Sequence, residues 1–151
     1  MTQSRFAFPA TLKPASHFAR HERGYVVQFR DLPEATTQGE NISDALAEAV
    51  DCLEEAIASR IVNDDNIPAP SRMAKGERLV ALPAQMTAKT ALYLAMRQAG
   101  ISKTALARRL GCDEKDVRRL LNPRYGSKLP KIDAALAALG KRIEIVVRDA
   151  A

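Results

Sequence analysis

The side chains best suited to bind a partner lie in a basic stretch between residues 103 and 128. In the major groove of DNA, Arg and Lys bind guanine edges or phosphates, and an acidic side chain can accept a hydrogen bond from cytosine. Hydroxyl and basic side chains that flank such a helix contact phosphates and orient the protein. The sequence therefore predicts this set of DNA-contacting residues: Thr104, Asp113, Glu114, Lys115, Arg118, Arg119, Arg124 and Lys128.

Residues 103–121 have the pattern of a helix-turn-helix. Ala107 is small enough for a close helix crossing, Gly111 tolerates a left-handed turn, and Val117 is a branched apolar residue that the second helix can bury. A generic helical hairpin can have the same spacing and is the alternative. The predicted core of the motif is Leu106, Ala107, Leu110, Gly111, Val117 and Leu120.

Few residues could perform catalysis. His17 and His21 have the i, i+4 spacing of a helical metal pair, but their segment is predicted to be a loop and offers no third ligand. Asp31, Glu48 and Asp51 could form the carboxylate set of a nuclease, but the last two flank the apolar stripe of a helix. Because phosphate-binding glycine loops and nucleophile motifs are also missing from the sequence, we expect no catalytic residue, no metal and no cofactor.

The charges of the 151 residues are unevenly distributed. Residues 1–70 contain 6 Lys/Arg and 11 Asp/Glu, a net charge of −5, whereas residues 71–151 contain 17 and 7, a net charge of +10. An acidic half joined to a basic half indicates two modules with different partners, and the basic module favours a polyanion such as nucleic acid. Two independently solvated surfaces are the alternative.

The first half predicts an α+β domain with a small antiparallel sheet. Alternating apolar residues predict strands at 5–12 and 24–30, and a short β-branched run predicts a third at 35–38. Pro9 suggests that the first strand lies at an edge or ends early. Residues 31–33, Asp-Leu-Pro, predict a turn.

One amphipathic helix follows these strands. Asn41 can accept a backbone N–H at its start, and Asp44 places negative charge in its first turn. Residues 79–82 could add another strand to the sheet. The predicted apolar stripe of the helix is Ile42, Leu46, Ala49, Val50, Leu53, Ala56 and Ile57.

The second half is predicted to be mostly helical, with helices at 88–99, 102–110, 113–121 and 131–139. The two cysteines, Cys52 and Cys112, predict neither a disulfide framework nor a zinc site. The predicted domains are residues 1–82, the sheet domain; residues 83–88, a linker; and residues 89–151, the helix-turn-helix domain.

Residues 142–148 are predicted to form a terminal strand, because apolar residues alternate there. A lone strand after a helical module has no partner within it, so we expect it to pair with a second copy and form a dimer, which could pair further into a tetramer. Addition of the strand to the N-terminal sheet is the alternative. The predicted dimerisation residues are Ile143, Ile145 and Val147.

No apolar run is long enough to span a membrane, and the first residues lack the pattern of a signal peptide. We therefore expect a cytoplasmic protein.

Four motifs of the first half resemble the N-terminal domain of HicB-type antitoxins. They are Gly24-Tyr-Val-Val-Gln-Phe-Arg-Asp-Leu-Pro33, Thr37-Gln-Gly-Glu40, Ser43-Asp-Ala-Leu-Ala-Glu-Ala49 and Ile67-Pro-Ala-Pro-Ser71. With the helix-turn-helix tail, the resemblance covers residues 5–150. It implies a partial RNase H-like fold without nuclease activity, and a cognate HicA-type toxin that cuts mRNA. It also implies toxin contact around the turn that contains Phe29, Asp31, Leu32 and Glu34.

Together these observations predict an antitoxin that neutralises its toxin and represses its own operon by binding operator DNA. The alternatives are a stand-alone transcriptional regulator whose N-terminal domain senses a ligand and, less favoured, an active RNase H-like nuclease.

Overall fold

The structure is a computed structural model that describes residues 4–149. Residues 1–3 and 150–151, the outer ends of the two predicted domains, lie outside the described residues. The chain divides into two compact units, residues 1–87 and residues 88–151.

The first unit contains a four-stranded antiparallel sheet. Its strands are β1 (Ala7–Pro14), β2 (Tyr25–Phe29), β3 (Leu32–Gly39) and β4 (Glu77–Ala81), in the spatial order β3-β2-β1-β4. The α+β class and the small antiparallel sheet are therefore confirmed. A short 3₁₀ helix, Ala15–His17, follows β1.

One face of this sheet forms the core of the unit. Phe8 pairs with Val80 and Ala10 pairs with Phe29, and residues paired across antiparallel strands point to the same face. All four are buried. The helix α1 (Ile42–Val62) packs against β3, β2 and β4 and contributes Leu53 to this core.

Two expectations about the strands are wrong in detail. Strand β1 is central and continues past Pro9, because pairing with β2 begins only at Ala10 and the missing N–H of Pro9 lies beyond that ladder. The turn after β2 contains only residues 30–31, so Leu32 and Pro33 belong to β3.

The start of α1 is capped as the sequence predicts. The Asn41 side chain accepts a hydrogen bond from the Asp44 backbone N–H at 2.8 Å, and the Asp44 carboxylate accepts one from the Glu40 N–H at 2.9 Å. The buried stripe differs from the expected one in its first half. Ala45 is buried, whereas Ile42 is exposed and Leu46 and Val50 are only half-buried.

The second half contains four helices among the described residues: α2 (Ala84–Ala99), α3 (Lys103–Leu110), α4 (Glu114–Leu121) and α5 (Leu129–Ala137). Residues 84–88 of the expected linker belong to α2, whose first turn includes a hydrogen bond from the Thr87 N–H to the Pro83 carbonyl. None of the described helices is long and apolar enough to cross a membrane.

The expected terminal strand is not formed within the single chain. Residues 141–149 belong to no helix or strand, because no other segment of the described chain pairs with them. Ile143 is half-buried, whereas the side chains of Ile145 and Val147 are 72% and 91% exposed.

Gly39 allows the end of β3 to lie against the start of α1. A Cβ atom at Gly39 would lie 2.3 Å from the Ala45 backbone nitrogen, a distance that requires the backbone to move. We expect Gly39→Ala to lower the free energy of unfolding by about 1–3 kcal/mol. Gly126→Ala is the control, because a Cβ there meets no atom within 4 Å. Equal urea midpoints for the two variants would contradict this packing.

Candidate functional site

The first candidate site is built on α3 and α4, which pack against each other. Leu106 and Val117 are fully buried, and Ala107 is buried beside them in sequence on α3. Gly111 ends α3 with a positive φ of 66°, and its N–H donates to the carbonyls of Ala107 and Arg108. Ala107 and Val117 are therefore buried, and Gly111 has a left-handed conformation, as the sequence predicts for these three positions.

The remaining predicted core positions differ in burial. Leu120 and Leu121 are buried on α4, whereas Leu110 is half-buried and Gly111 is exposed in the turn. Because α4 buries these two leucines together with Val117, its other side carries the charged residues.

Arg118 lies on the exposed side of α4 and forms an ion pair within the helix. Its Nε and Nη2 atoms donate to Glu114 Oε1 at 3.0 and 2.6 Å. The second oxygen of Glu114 accepts a hydrogen bond from the Thr104 hydroxyl at 3.0 Å. The Arg118 guanidinium, followed by this hydroxyl, lowers the pKa of Glu114. Three of the predicted DNA-contacting side chains are thus brought into one network.

Arg119 lies on the next position of α4 and has different neighbours. Its Nη1 atom is 3.9 Å from Asp116 Oδ1, and its guanidinium lies over the Tyr125 ring, 5.5 Å from the ring centroid. Tyr125 belongs to the loop of residues 122–128, so this contact joins α4 to that loop.

The predicted phosphate contacts after α4 lie in and at the end of this loop. The Arg124 backbone N–H donates to Asn122 Oδ1 at 3.0 Å, and Lys128 is the residue that precedes α5. Lys115 is exposed on α4, and Asp113 occupies the capping position of α4 without a side-chain hydrogen bond to the helix.

Lys89, on α2, is a fully buried lysine in the same unit. Its Nζ atom donates to the backbone carbonyls of Arg119 at 3.1 Å and Leu120 at 2.8 Å, and to the Ser127 hydroxyl oxygen at 2.9 Å. Burial lowers the pKa of Lys89 to about 8.

The second candidate site is the turn predicted to contact a toxin, and its apolar residues are in the core. Phe29 is 1% exposed and Leu32 is fully buried, so neither offers surface to a partner in this structure. The reason is local, because the two-residue turn places both residues at the paired ends of β2 and β3, on the covered face of the sheet.

The carboxylates of this turn bind other parts of the unit. Asp31 accepts hydrogen bonds from the Ser71 N–H at 2.8 Å and the Ser71 hydroxyl at 2.5 Å. Glu34 forms a bidentate ion pair with Arg60, and the Arg60 guanidinium lowers the pKa of Glu34. Arg60 also donates to the Asn66 carbonyl at 2.6 Å.

Arg30, between β2 and β3, completes this set of contacts. It forms a bidentate ion pair with Glu77, in which Nε lies 2.7 Å from Oε1 and Nη2 lies 3.1 Å from Oε2. Its Nη2 atom also donates to the Arg72 carbonyl. The Arg30 guanidinium also lowers the pKa of Glu77. The turn therefore fastens the irregular segment between α1 and β4 to the sheet.

Among the exposed acidic residues of the first unit, those on α1 are the largest group within one helix or strand. At 100° per residue, four of them fall within one narrow stripe on the side opposite the buried alanines and leucine. We call this stripe the acidic face of α1: Asp44, Glu48, Asp51 and Glu55.

The residues considered for catalysis are not gathered into one site. Asp31 is bound to Ser71, whereas Glu48 and Asp51 are exposed on α1. His17 ends the short 3₁₀ helix and His21 lies beyond it, both exposed. Within residues 4–149 no group of three or more His, Cys, Asp or Glu is placed to hold a metal ion.

Comparison with known proteins decides the family. Residues 7–91 match the family model described as the HicB-like antitoxin of bacterial toxin-antitoxin systems. The chain belongs to the HicB-like antitoxin family.

Relatives of known name agree with this assignment along most of the chain. Antitoxin HicB of Escherichia coli (strain K12) is 34% identical over 140 residues, which cover 93% of this chain and 98% of the relative. Antitoxin HicB 2 of Photorhabdus laumondii is 39% identical over 129 residues, which cover 85% and 91%. The matched segments therefore include residues beyond the N-terminal family model.

Sequence reasoning missed the residues of this HicB-like chain that join α4 to the loop after it. Tyr125 and Ser127 are polar loop residues whose partners become apparent only in three dimensions. The burial of Lys89 could have been predicted from the sequence, because Lys89 lies at helical spacing from the apolar Met86 and Tyr93, which are both buried. A lysine on the apolar stripe of a helix indicates a buried cation with partners.

Lys89 predicts a specific pH dependence of stability. Its pKa is about 8 in the folded protein and 10.5 as its ordinary value, so between these pH values the unfolded chain binds more protons. The free energy of unfolding must then rise with pH, by at most about 1.4 kcal/mol per pH unit from this group. The measurement is chemical denaturation of the parent chain and Lys89→Met between pH 7 and 11. We expect the difference, parent minus variant, to increase from pH 8 to 10.5, and a decrease would contradict the assignment.

Proposed function

We propose that this antitoxin uses its two units for two partners. The first unit binds and neutralises a cognate HicA-type toxin that cuts mRNA. The second unit binds operator DNA as a helix-turn-helix and represses the operon that encodes both proteins. The relatives named HicB support the antitoxin role, and the residues described above support the assignment of each unit.

The DNA-binding proposal rests on α4, which is apolar and buried on one side and basic and exposed on the other. Val117, Leu120 and Leu121 are buried, whereas Lys115, Arg118 and Arg119 are exposed. A helix held on one side by a neighbouring helix can present its other side to the major groove. The net charge of +10 over residues 71–151 favours binding to a polyanion.

The ion pair of Arg118 with Glu114 suits this role. In the free chain Glu114 holds the Arg118 guanidinium in one position, so less side-chain freedom is lost when the guanidinium meets a base or phosphate. Thr104, bound to the same carboxylate, would lie beside this group.

We expect Arg118→Ala/Arg119→Ala to abolish specific binding to the DNA upstream of the gene. Each lost base contact costs about 1–3 kcal/mol, and each lost phosphate contact lowers the salt slope by about one unit. Gel-shift titrations at two salt concentrations measure both effects. Arg20→Ala/Arg23→Ala, with the same charge loss in the first unit, is the control and should bind DNA like the parent chain. Unchanged operator affinity in the folded α4 variant would show that α4 is not the DNA-binding helix.

The acidic face of α1 supports the toxin-binding proposal. The Asp31, Glu34 and Glu77 carboxylates bind other parts of the unit. Glu48 and Asp51 are exposed on α1, where a partner can reach them. A basic RNA-cutting toxin would be attracted to this face, and complementary charges accelerate association.

We expect Glu48→Gln/Asp51→Asn to slow association with the toxin several-fold at low salt, and less at high salt, because screening weakens the attraction. Stopped-flow or surface-based kinetics measure the rate. Asp133→Asn/Asp149→Asn removes the same charge from the second unit and should leave the rate unchanged. Equal rates for the two variants would place the toxin elsewhere.

We also propose that residues 142–148 pair with a second copy to form a dimer. Ile145, Val146 and Val147 are more than two-thirds exposed in the single chain, and their backbone lies in no sheet. Two-fold pairing would cover these side chains, hydrogen-bond their backbone and match two DNA half-sites. Pairing of two such dimers would give a tetramer.

A chain that ends at Gly140 should therefore be monomeric by light scattering at concentrations where the full chain is dimeric. Ile145→Asp/Val147→Asp is the full-length counterpart and should dissociate the dimer without shortening the chain. A truncated chain that stays dimeric would show that these residues are not the dimer interface.

A further inference from the structure

Lys89 combines complete burial with a charged end group, a combination that is unfavourable unless the charge is hydrogen-bonded. Its ammonium group has three N–H donors. The three oxygen atoms described above lie 2.8–3.1 Å from Nζ, one for each donor. The side chain is thus fully used in binding other parts of the second unit.

Two of the three acceptors belong to the last turn of α4. The final carbonyls of a helix have no partner within the helix, and the helix dipole favours a cation there. The ammonium group of Lys89 bonds the carbonyls of Arg119 and Leu120 and so meets both requirements.

The third acceptor lies in the 122–128 loop. Ser127 Oγ accepts from Lys89 and is also 3.4 Å from the Arg119 carbonyl oxygen, to which it donates. The Arg119 side chain lies over Tyr125 of the same loop. Lys89 therefore holds together the helix end that carries Arg119 and the loop that carries Arg124.

Stability alone does not require a cation at this position. An apolar side chain of similar length could fill the space without the cost of removing a charge from water, and such replacements of buried charges are often neutral or stabilising. An apolar side chain could not hydrogen-bond the end of α4 and the loop at the same time. The contacts that only a cation makes are those that fix these two segments relative to each other.

We propose that Lys89 is a positioning residue for DNA binding, which sets the end of α4 and the 122–128 loop so that Arg119, Arg124 and Lys128 meet the DNA backbone together. Lys89 itself has no exposed surface and contacts no DNA. This inference rests on the proposed operator binding, because it concerns the geometry of that surface.

The test compares the full-length parent chain with Lys89→Met and Ser127→Ala. Fluorescence anisotropy with a labelled duplex of the gene's own upstream DNA measures the dissociation constant at several salt concentrations. Circular dichroism and thermal unfolding give the folded fraction of each variant. Lys75→Met is the matched control, because Lys75 is an exposed lysine of the first unit.

We expect Lys89→Met to bind the duplex at least about 10-fold more weakly and to lower the salt slope by about one unit or more, because correctly placed phosphate contacts are lost. Ser127→Ala removes the hydrogen bonds that join the loop to Lys89 and to the Arg119 carbonyl, and should weaken binding by about 3-fold. Lys75→Met should bind like the parent chain.

Unchanged affinity and salt slope in the folded Lys89→Met variant would overturn the proposal. Weaker binding with an unchanged slope would also overturn it, because that result reflects a smaller folded fraction rather than misplaced contacts. If Lys89→Met fails to fold, Ser127→Ala decides, and parent-like binding by that variant overturns the positioning role. Absence of specific binding by the parent chain would instead contradict the operator-binding function itself, and the positioning role with it.

Discussion

The packing of α3 against α4 is the constraint on which the proposed DNA-binding surface depends. Val117 and Leu106 are completely buried, and burial of Val117 determines which side of α4 faces outward. The left-handed turn at Gly111 makes this packing possible within two short helices. Lys89 then holds the far end of α4, so the helix is fixed at its turn, along its buried side and at its last carbonyls. A surface of arginines positioned in this way needs little reorganisation on binding.

The first unit uses its charges in two ways. Arg30, Asp31 and Arg60 hold the segment between α1 and β4 through hydrogen bonds to its residues 66, 71 and 72. The carboxylates on the acidic face of α1 remain at the surface. Acidic residues thus stabilise the fold near the β2–β3 turn and are exposed on α1, and net charge alone cannot distinguish these two roles.

Much of the fold could be predicted because its signals are local. The Asn41 cap, the left-handed Gly111 between α3 and α4, and the antiparallel pairing of β2 with β3 depend on residues close together in the sequence. The central position of β1 could not be predicted from Pro9, because it depends on pairing with β4, nearly 70 residues away in sequence.

At the candidate sites, too, features that depend on neighbours in sequence could be predicted, whereas features that depend on tertiary contacts could not. Exposed arginines on α4 follow from the position of Val117, a neighbour in sequence. The turn after β2 depends on tertiary contacts, which bury Phe29 and Leu32 and bind Asp31 to Ser71. The sequence motif therefore predicts the turn but not which of its residues are exposed. The terminal alternation at 142–148 predicts a strand correctly only where a partner strand exists.

The most direct test of the antitoxin role is growth rescue in cells that express the cognate toxin, which the proposal predicts to be a small basic protein encoded beside this gene. We expect that this toxin alone arrests growth, that co-expression of the full chain restores growth, and that the two proteins purify together. A ligand-sensing regulator would bind DNA without forming this complex. Continued growth arrest in the presence of soluble, folded full-length chain would contradict the antitoxin role.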